Sequence, residues 1–137
     1  LPNCGLRAVP ALFGELESLK FLLLSGNWDL ADATQHRAFP AALGRMKSLR
    51  GLYLDRCGLR TFPAFVGELE SLEVLDLHGN DFEVDAAALD ALLKRCRRLR
   101  KVDLSDSALP WTAESLANLE IFKAKLLAEN PDAEVTY

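Results

Sequence analysis

Long apolar runs, paired cysteines and catalytic motifs are what this 137-residue sequence lacks. No stretch approaches the roughly 18 to 20 apolar residues of a membrane span, and the N-terminus has none of the charged, apolar and cleavage regions of a secretory signal. Only three cysteines and two histidines are present, with no Cys-x-x-Cys pair and no Cys/His spacing suited to zinc. There is no His-x-x-x-His, no Gly-x-Ser-x-Gly and no phosphate-cradling glycine loop. These absences argue against membrane association, a metal site, a cofactor, a small-molecule substrate and catalysis by this chain. The net charge of −4, with a pI near 5.2, offers no global attraction to nucleic acid either.

Half of the residues are hydrophobic and 26% are charged, enough for one domain with a core of its own. Their order repeats. PALFGELESL from Pro10, PAALGRMKSL from Pro40 and PAFVGELESL from Pro63 align without gaps, and each leads into an alternating run. Those runs, LKFLLLSGN from Leu19, LRGLYLDRC from Leu49, LEVLDLHGN from Leu72 and LRKVDLSDS from Leu99, fit one template. Its first, fourth and sixth positions are apolar: Leu19, Leu22 and Leu24; Leu49, Leu52 and Leu54; Leu72, Leu75 and Leu77; Leu99, Val102 and Leu104. The fourth and sixth share one face of a strand. A single unit cannot bury such a face, whereas stacked units share one continuous core.

This pattern resembles that of the leucine-rich repeat family, L-x-x-L-x-L-x-x-N/C-x-L, over essentially the whole chain. The resemblance implies an α/β solenoid with a curved parallel sheet on the concave side and turns and short helices on the convex side. The array is similar to intracellular, bacterial-type arrays of about 23-residue repeats. Leu54 and Leu77 are 23 residues apart, but Leu24 and Leu54 are 30 apart and Leu77 and Leu104 are 27 apart. The longest unit carries its extra residues within WDLADATQHRA. The 27-residue unit replaces Pro-x-x-x-Gly with DAAALDALLKRCRR, which predicts a helix capped by Asp85 with Leu89, Leu92, Leu93 and Cys96 on one face.

Residues 1–111 read as the repeats and 112–137 as a C-terminal cap. Thr112 is the expected N-cap of a helix with Leu116, Leu119, Phe122, Leu126 and Leu127 along one side, and AEVTY is expected to add a short last strand. Trp111 is expected to seal the last repeat against that helix. The opening LPNCGL matches the tail of a repeat, so the sequence reads as a piece of a larger protein.

The template's ninth position holds Cys4, Asn27, Cys57, Asn80 and Ser107. In the family this residue hydrogen-bonds backbone groups that the turn leaves unpaired. Cys4 and Cys57, two repeats apart, are expected about 9 to 10 Å from each other, beyond disulfide reach, and Cys96 lies on the convex side. Unbridged thiols imply a reducing, intracellular compartment, either the cytoplasm or a host cytoplasm reached by a secreted bacterial effector.

The residues between the leucines face outward on the concave side. Phe21, Leu23 and Tyr53 form an apolar zone toward the N-terminus, and Asp55, Asp76, Asp103 and Asp106 an acidic zone toward the C-terminus, with Arg56 and His78 beside them. Asp76 and Asp103 are expected to repel each other across neighbouring strands to no structural benefit, on a face too open to perturb either carboxylate. Trp28 either overhangs the rim in the 28–38 loop or, with Leu30, fills the core of a longer turn. The expected function is a protein-interaction module binding a basic protein partner through this face and that loop. A second expectation is a substrate-recognition or autoinhibitory domain of a larger enzyme, such as a bacterial effector ubiquitin ligase. The basic run KRCRRLRK, Lys94–Lys101, is the weaker candidate for nucleic acid, since its charges also suit the end of the predicted helix.

Overall fold

The computed structural model describes residues 1–30, 39–82, 86–106 and 111–137. The expected cap Asp85, the turn residue Ser107 and most of the 28–38 loop, from Ala31 onward, lie outside them. Among the described residues five three-residue strands form one parallel sheet in sequential order: β1 (Phe21–Leu23), β2 (Gly51–Tyr53), β3 (Val74–Asp76), β4 (Lys101–Asp103) and β5 (Glu134–Thr136). The template positions stand in register, with Leu22, Leu52, Leu75, Val102 and Val135 side by side. Alternation decides which faces turn inward: the central residues of the first four strands are buried together with Leu24, Leu54, Leu77 and Leu104, each two positions further on.

Each Pro-x-x-x-Gly segment is a five-residue 3₁₀ helix on the convex side, at Ala11–Glu15, Ala41–Arg45 and Ala64–Glu68. Proline begins each because its missing N–H is one the first turn leaves unpaired anyway. The glycine is a close-approach residue. A Cβ at Gly14 would lie 2.3 Å from the Ala42 carbonyl oxygen, and one at Gly44 would lie 2.9 Å from Glu68 Cβ. Stacking at this spacing therefore leaves no room for a side chain at Gly14 or Gly44. The apolar residue before each proline completes the convex core: Val9 is buried, Phe39 meets Phe65 at 5.5 Å between ring centroids, and Phe62 meets Phe82 edge-on at 5.8 Å.

The 27-residue unit has room for a true helix, α1 (Ala86–Arg95), whose Leu89 and Leu92 are buried, with Leu93 partly so, and Cys96 just beyond its end is buried too. The cap helix α2 (Ala113–Glu129) packs against α1, and β5 pairs with β4, so together they cover the last repeat. Thr112 caps α2 as expected, its Oγ1 accepting the Ser115 N–H at 3.0 Å. Trp111 packs against the core.

The buried stripe of α2 differs from the expected one. It runs Ser115, Leu119, Phe122 and Leu126, while Leu127 is half-buried and Leu116 remains 40% exposed. One step along a helix is a turn of about 100°, which carries Leu116 off the stripe that Ser115 begins.

Candidate functional site

At the ninth position Asn27, Cys57 and Asn80 are buried in structural roles. Asn80 Oδ1 accepts the N–H groups of Cys57 and Leu59, both at 3.0 Å, and its Nδ2 donates to the carbonyls of Leu54 and Leu77 at 2.9 and 2.8 Å. Asn27 repeats the arrangement one array step earlier, with Cys4 and Leu6 as donors and Leu1 and Leu24 as acceptors. Cys57 donates its thiol to the Leu24 carbonyl at 3.1 Å, and Cys96 donates to that of Val66 at 3.5 Å. Burial pushes both thiols up to about 11, so neither is a nucleophile near neutral pH. All three cysteines are free, and Cys4 is exposed.

On the concave face, Phe21 is 53% and Leu23 46% exposed. The Phe21 and Tyr53 rings converge above Gly51, where an added Cβ would lie 2.7 Å from Phe21 Cδ1 and 3.0 Å from Tyr53 Cε2. Gly51 thus shapes the apolar zone by its lack of a side chain, a role the template spacing does not disclose. Beside Tyr53 in register stand Asp76 and then Asp103.

These two aspartates have the local structural role the sequence did not suggest. Asp76 Oδ1 accepts the His78 N–H at 3.1 Å, and Asp103 Oδ1 accepts both the Ser105 N–H, at 3.0 Å, and the Ser105 hydroxyl, at 2.6 Å. Each carboxylate pins the backbone where the strand enters its turn. The face is also less open at Asp76 than expected. Burial raises its carboxyl above the ordinary carboxylate range and the charges of Asp55 and Asp103 add to this, against the His78 N–H bond and the His78 ring.

Side-chain rungs continue into the turns. Ser25 Oγ donates to Asp55 Oδ1 in a short contact, while His78 Nδ1 and Ser105 Oγ are hydrogen-bonded at 3.2 Å and His78 Nε2 lies 3.8 Å from Asp106 Oδ2. Arg56 and Asp106 sit at the rim of the concave face: both have left-handed backbone, with φ of 53° and 60°, matching Gly26 and Gly79 at the same template position. Trp28 and Leu30 part company: Leu30 is fully buried, whereas Trp28 is 60% exposed.

The basic run continues past the end of α1. Its Cys96 and Leu99 are buried and its cations are exposed, with Arg95 in a short contact with Glu68 and Lys101 paired with Glu134 at 3.3 Å. Among the described residues no group of three His, Cys, Asp or Glu side chains is placed to hold a metal ion, and no helix is long and apolar enough to cross a membrane.

No protein-family model matches the chain. Receptor like protein 28 of Arabidopsis thaliana is 31% identical over 97 residues, covering 71% of this chain and 11% of that protein. Among solved structures, an LRR protein of Leptospira interrogans superposes with a TM-score of 0.58 at 21% identity, over 96% of this chain and 34% of its own. The plant peptide hormone receptor RGFR1 in complex with RGF2 gives a TM-score of 0.55 at 26% identity, over 74% of this chain and 15% of the receptor. Sheet, convex segments and turn asparagines together define the α/β solenoid, and the protein is a leucine-rich repeat array. It spans about a tenth of the curated relative's length.

Proposed function

We propose that the array is a protein-interaction module that binds its partner on the concave face. The observation that carries this reading is the exposure of Phe21 and Leu23 on a sheet face bordered, two strands further on and beyond Tyr53, by the acidic row that begins at Asp76. Solvent-facing phenylalanine and leucine have no role in the core, and aromatic anchors next to charge are typical of energetically important contacts. Phe21, Leu23 and Tyr53 supply apolar contact. Asp55, Asp76, Asp103 and Asp106 favour a basic protein or peptide, with Arg56 and His78 at the border of the acidic zone and Trp28 gripping from the rim. The likeness to a peptide hormone receptor supports a peptide or protein ligand.

Selection from a displayed peptide library tests this. Peptides joining an aliphatic or aromatic residue to arginine or lysine are expected, and Phe21→Ser with Leu23→Ser should weaken their capture at least tenfold while the melting temperature stays nearly constant. Asp103→Asn should flatten the dependence of capture on salt. Peptides of unrelated composition, or binding indifferent to all three changes, would refute the concave-face reading.

A further inference from the structure

Charge is unevenly divided between coils along the edge of the solenoid where the strands begin. Backbone hydrogen bonds that run from Arg100 through Glu73 and Arg50 to Lys20 set these residues in one row on that edge. The coil of β3 brings three carboxylates there, and each is taken: Glu68 by Arg95 in a short contact, Glu70 by Lys47 at 3.1 Å and Glu73 by Arg50 at 3.8 Å. The coil of β4 brings five cations within residues 94–100, Lys94, Arg95, Arg97, Arg98 and Arg100, all of them exposed. Of these five, Arg95 alone is in an ion pair among the described residues. The carbonyl dipole of α1 accounts for Lys94 and Arg95 in its last turn, but Arg97, Arg98 and Arg100 lie beyond that turn. The fold does not require a cation at their positions either, since Glu70, Ser71 and Glu73 hold them one coil earlier.

We propose that Arg97, Arg98 and Arg100, with Lys94 at the end of α1, are a second interaction surface, which docks a short acidic segment of a protein partner. Charge complementarity identifies the occupant. Guanidinium groups with no carboxylate of their own suit the two-oxygen geometry of aspartate and glutamate side chains. A nucleic-acid strand shares the charge but not the extent. Running on to the neighbouring coil, it meets Glu68, Glu70 and Glu73, whereas a segment of a few carboxylates ends within the patch. The net charge of −4 acts in the same direction, because a long polyanion is repelled by the rest of the surface and a short one is not carried past the patch. The inference does not depend on what the concave face binds.

Fluorescence anisotropy of a fluorescein-labelled peptide with a tetraglutamate core, titrated with the 137-residue chain, tests it. Binding is expected at low salt and should weaken steeply as the ionic strength approaches about 0.15 M, where charges act over only about 8 Å. Arg97→Ser with Arg98→Ser should lower the affinity about tenfold by removing two charge-assisted contacts. The melting temperature should stay nearly constant, as befits exposed side chains. Lys20→Ser, an exposed cation of the same row three coils away, should leave the affinity unchanged. No binding at low salt, or equal losses from the arginine pair and from Lys20, overturns the proposal. So does tighter capture of an oligothymidylate of equal charge that is lost with the same arginines, which would assign the patch to nucleic acid. A concentration-dependent oligomer that Arg97→Ser with Arg98→Ser dissolves also overturns it, because the patch would then meet the acidic concave face of a second copy.

Discussion

A buried asparagine at the end of a strand stabilises this protein as much through what it satisfies as through what it contacts. Asn80 uses both amide hydrogens and its oxygen twice, serving two N–H and two C=O groups that the bend turns away from every strand partner. Asn80→Ala leaves them buried and unpaired, at about 1 to 3 kcal/mol for each group that water does not reach, so a loss of roughly 3 kcal/mol or more is expected in urea denaturation. Asn27→Ala should cost less, because its partners Cys4 and Leu6 lie in a partly exposed turn. Equal losses would mean that the two turns are equally sealed. The recurrence of Asn and Cys made this position legible from sequence, because a turn-bonding residue leaves a spaced signature. The roles of Asp76 and Asp103 were not legible. A carboxylate that accepts the amide two residues on looks, as a letter, no different from one that faces a ligand.

Elements follow from how many residues each convex leg contains and from which apolar residues a strand or helix places together. Strand registers were readable from the leucines alone, because a slip of one residue would turn every one of them to solvent. The 27-residue leg was readable as a helix for the same reason, its apolar residues recurring with a helical period. The cap helix was harder. Leu116, Ile121 and Leu127 lie outside its buried stripe, so apolar residues occur nearly all round and periodicity alone does not choose a face. Packing against α1 chooses it. Phe122→Ala, at a site 1% exposed, is expected to cost about 3 to 5 kcal/mol, and Leu116→Ala to change stability by no more than about 0.5 kcal/mol. Denaturation of the two variants side by side checks the assignment, and a loss for Leu116→Ala as large as that for Phe122→Ala would restore the stripe read from sequence.

At the scale of the molecule, stability is close to one-dimensional: each coil touches its neighbours, and the array is held by a sum of interface terms. Its two ends are unlike. At the C-terminus β5 continues the ladder, with the Leu104 N–H donating to the Thr136 carbonyl at 2.8 Å, and α2 lies across α1. At the N-terminus the coil that carries Leu12 and Leu16 faces water on one side. Opening should therefore begin there and spread inward, because releasing the first coil breaks one interface whereas releasing an interior coil breaks two. Amide exchange followed by NMR is expected to be slowest at Leu54 and Leu77, whose hydrogens bond across the middle of the sheet, faster at Leu24, and fastest at Asn3, which bonds to the Ser25 carbonyl at the open end. Protection that is uniform from Asn3 to Leu77 would show instead that the chain opens only as a whole, with interfaces strong enough to hide the exposed end.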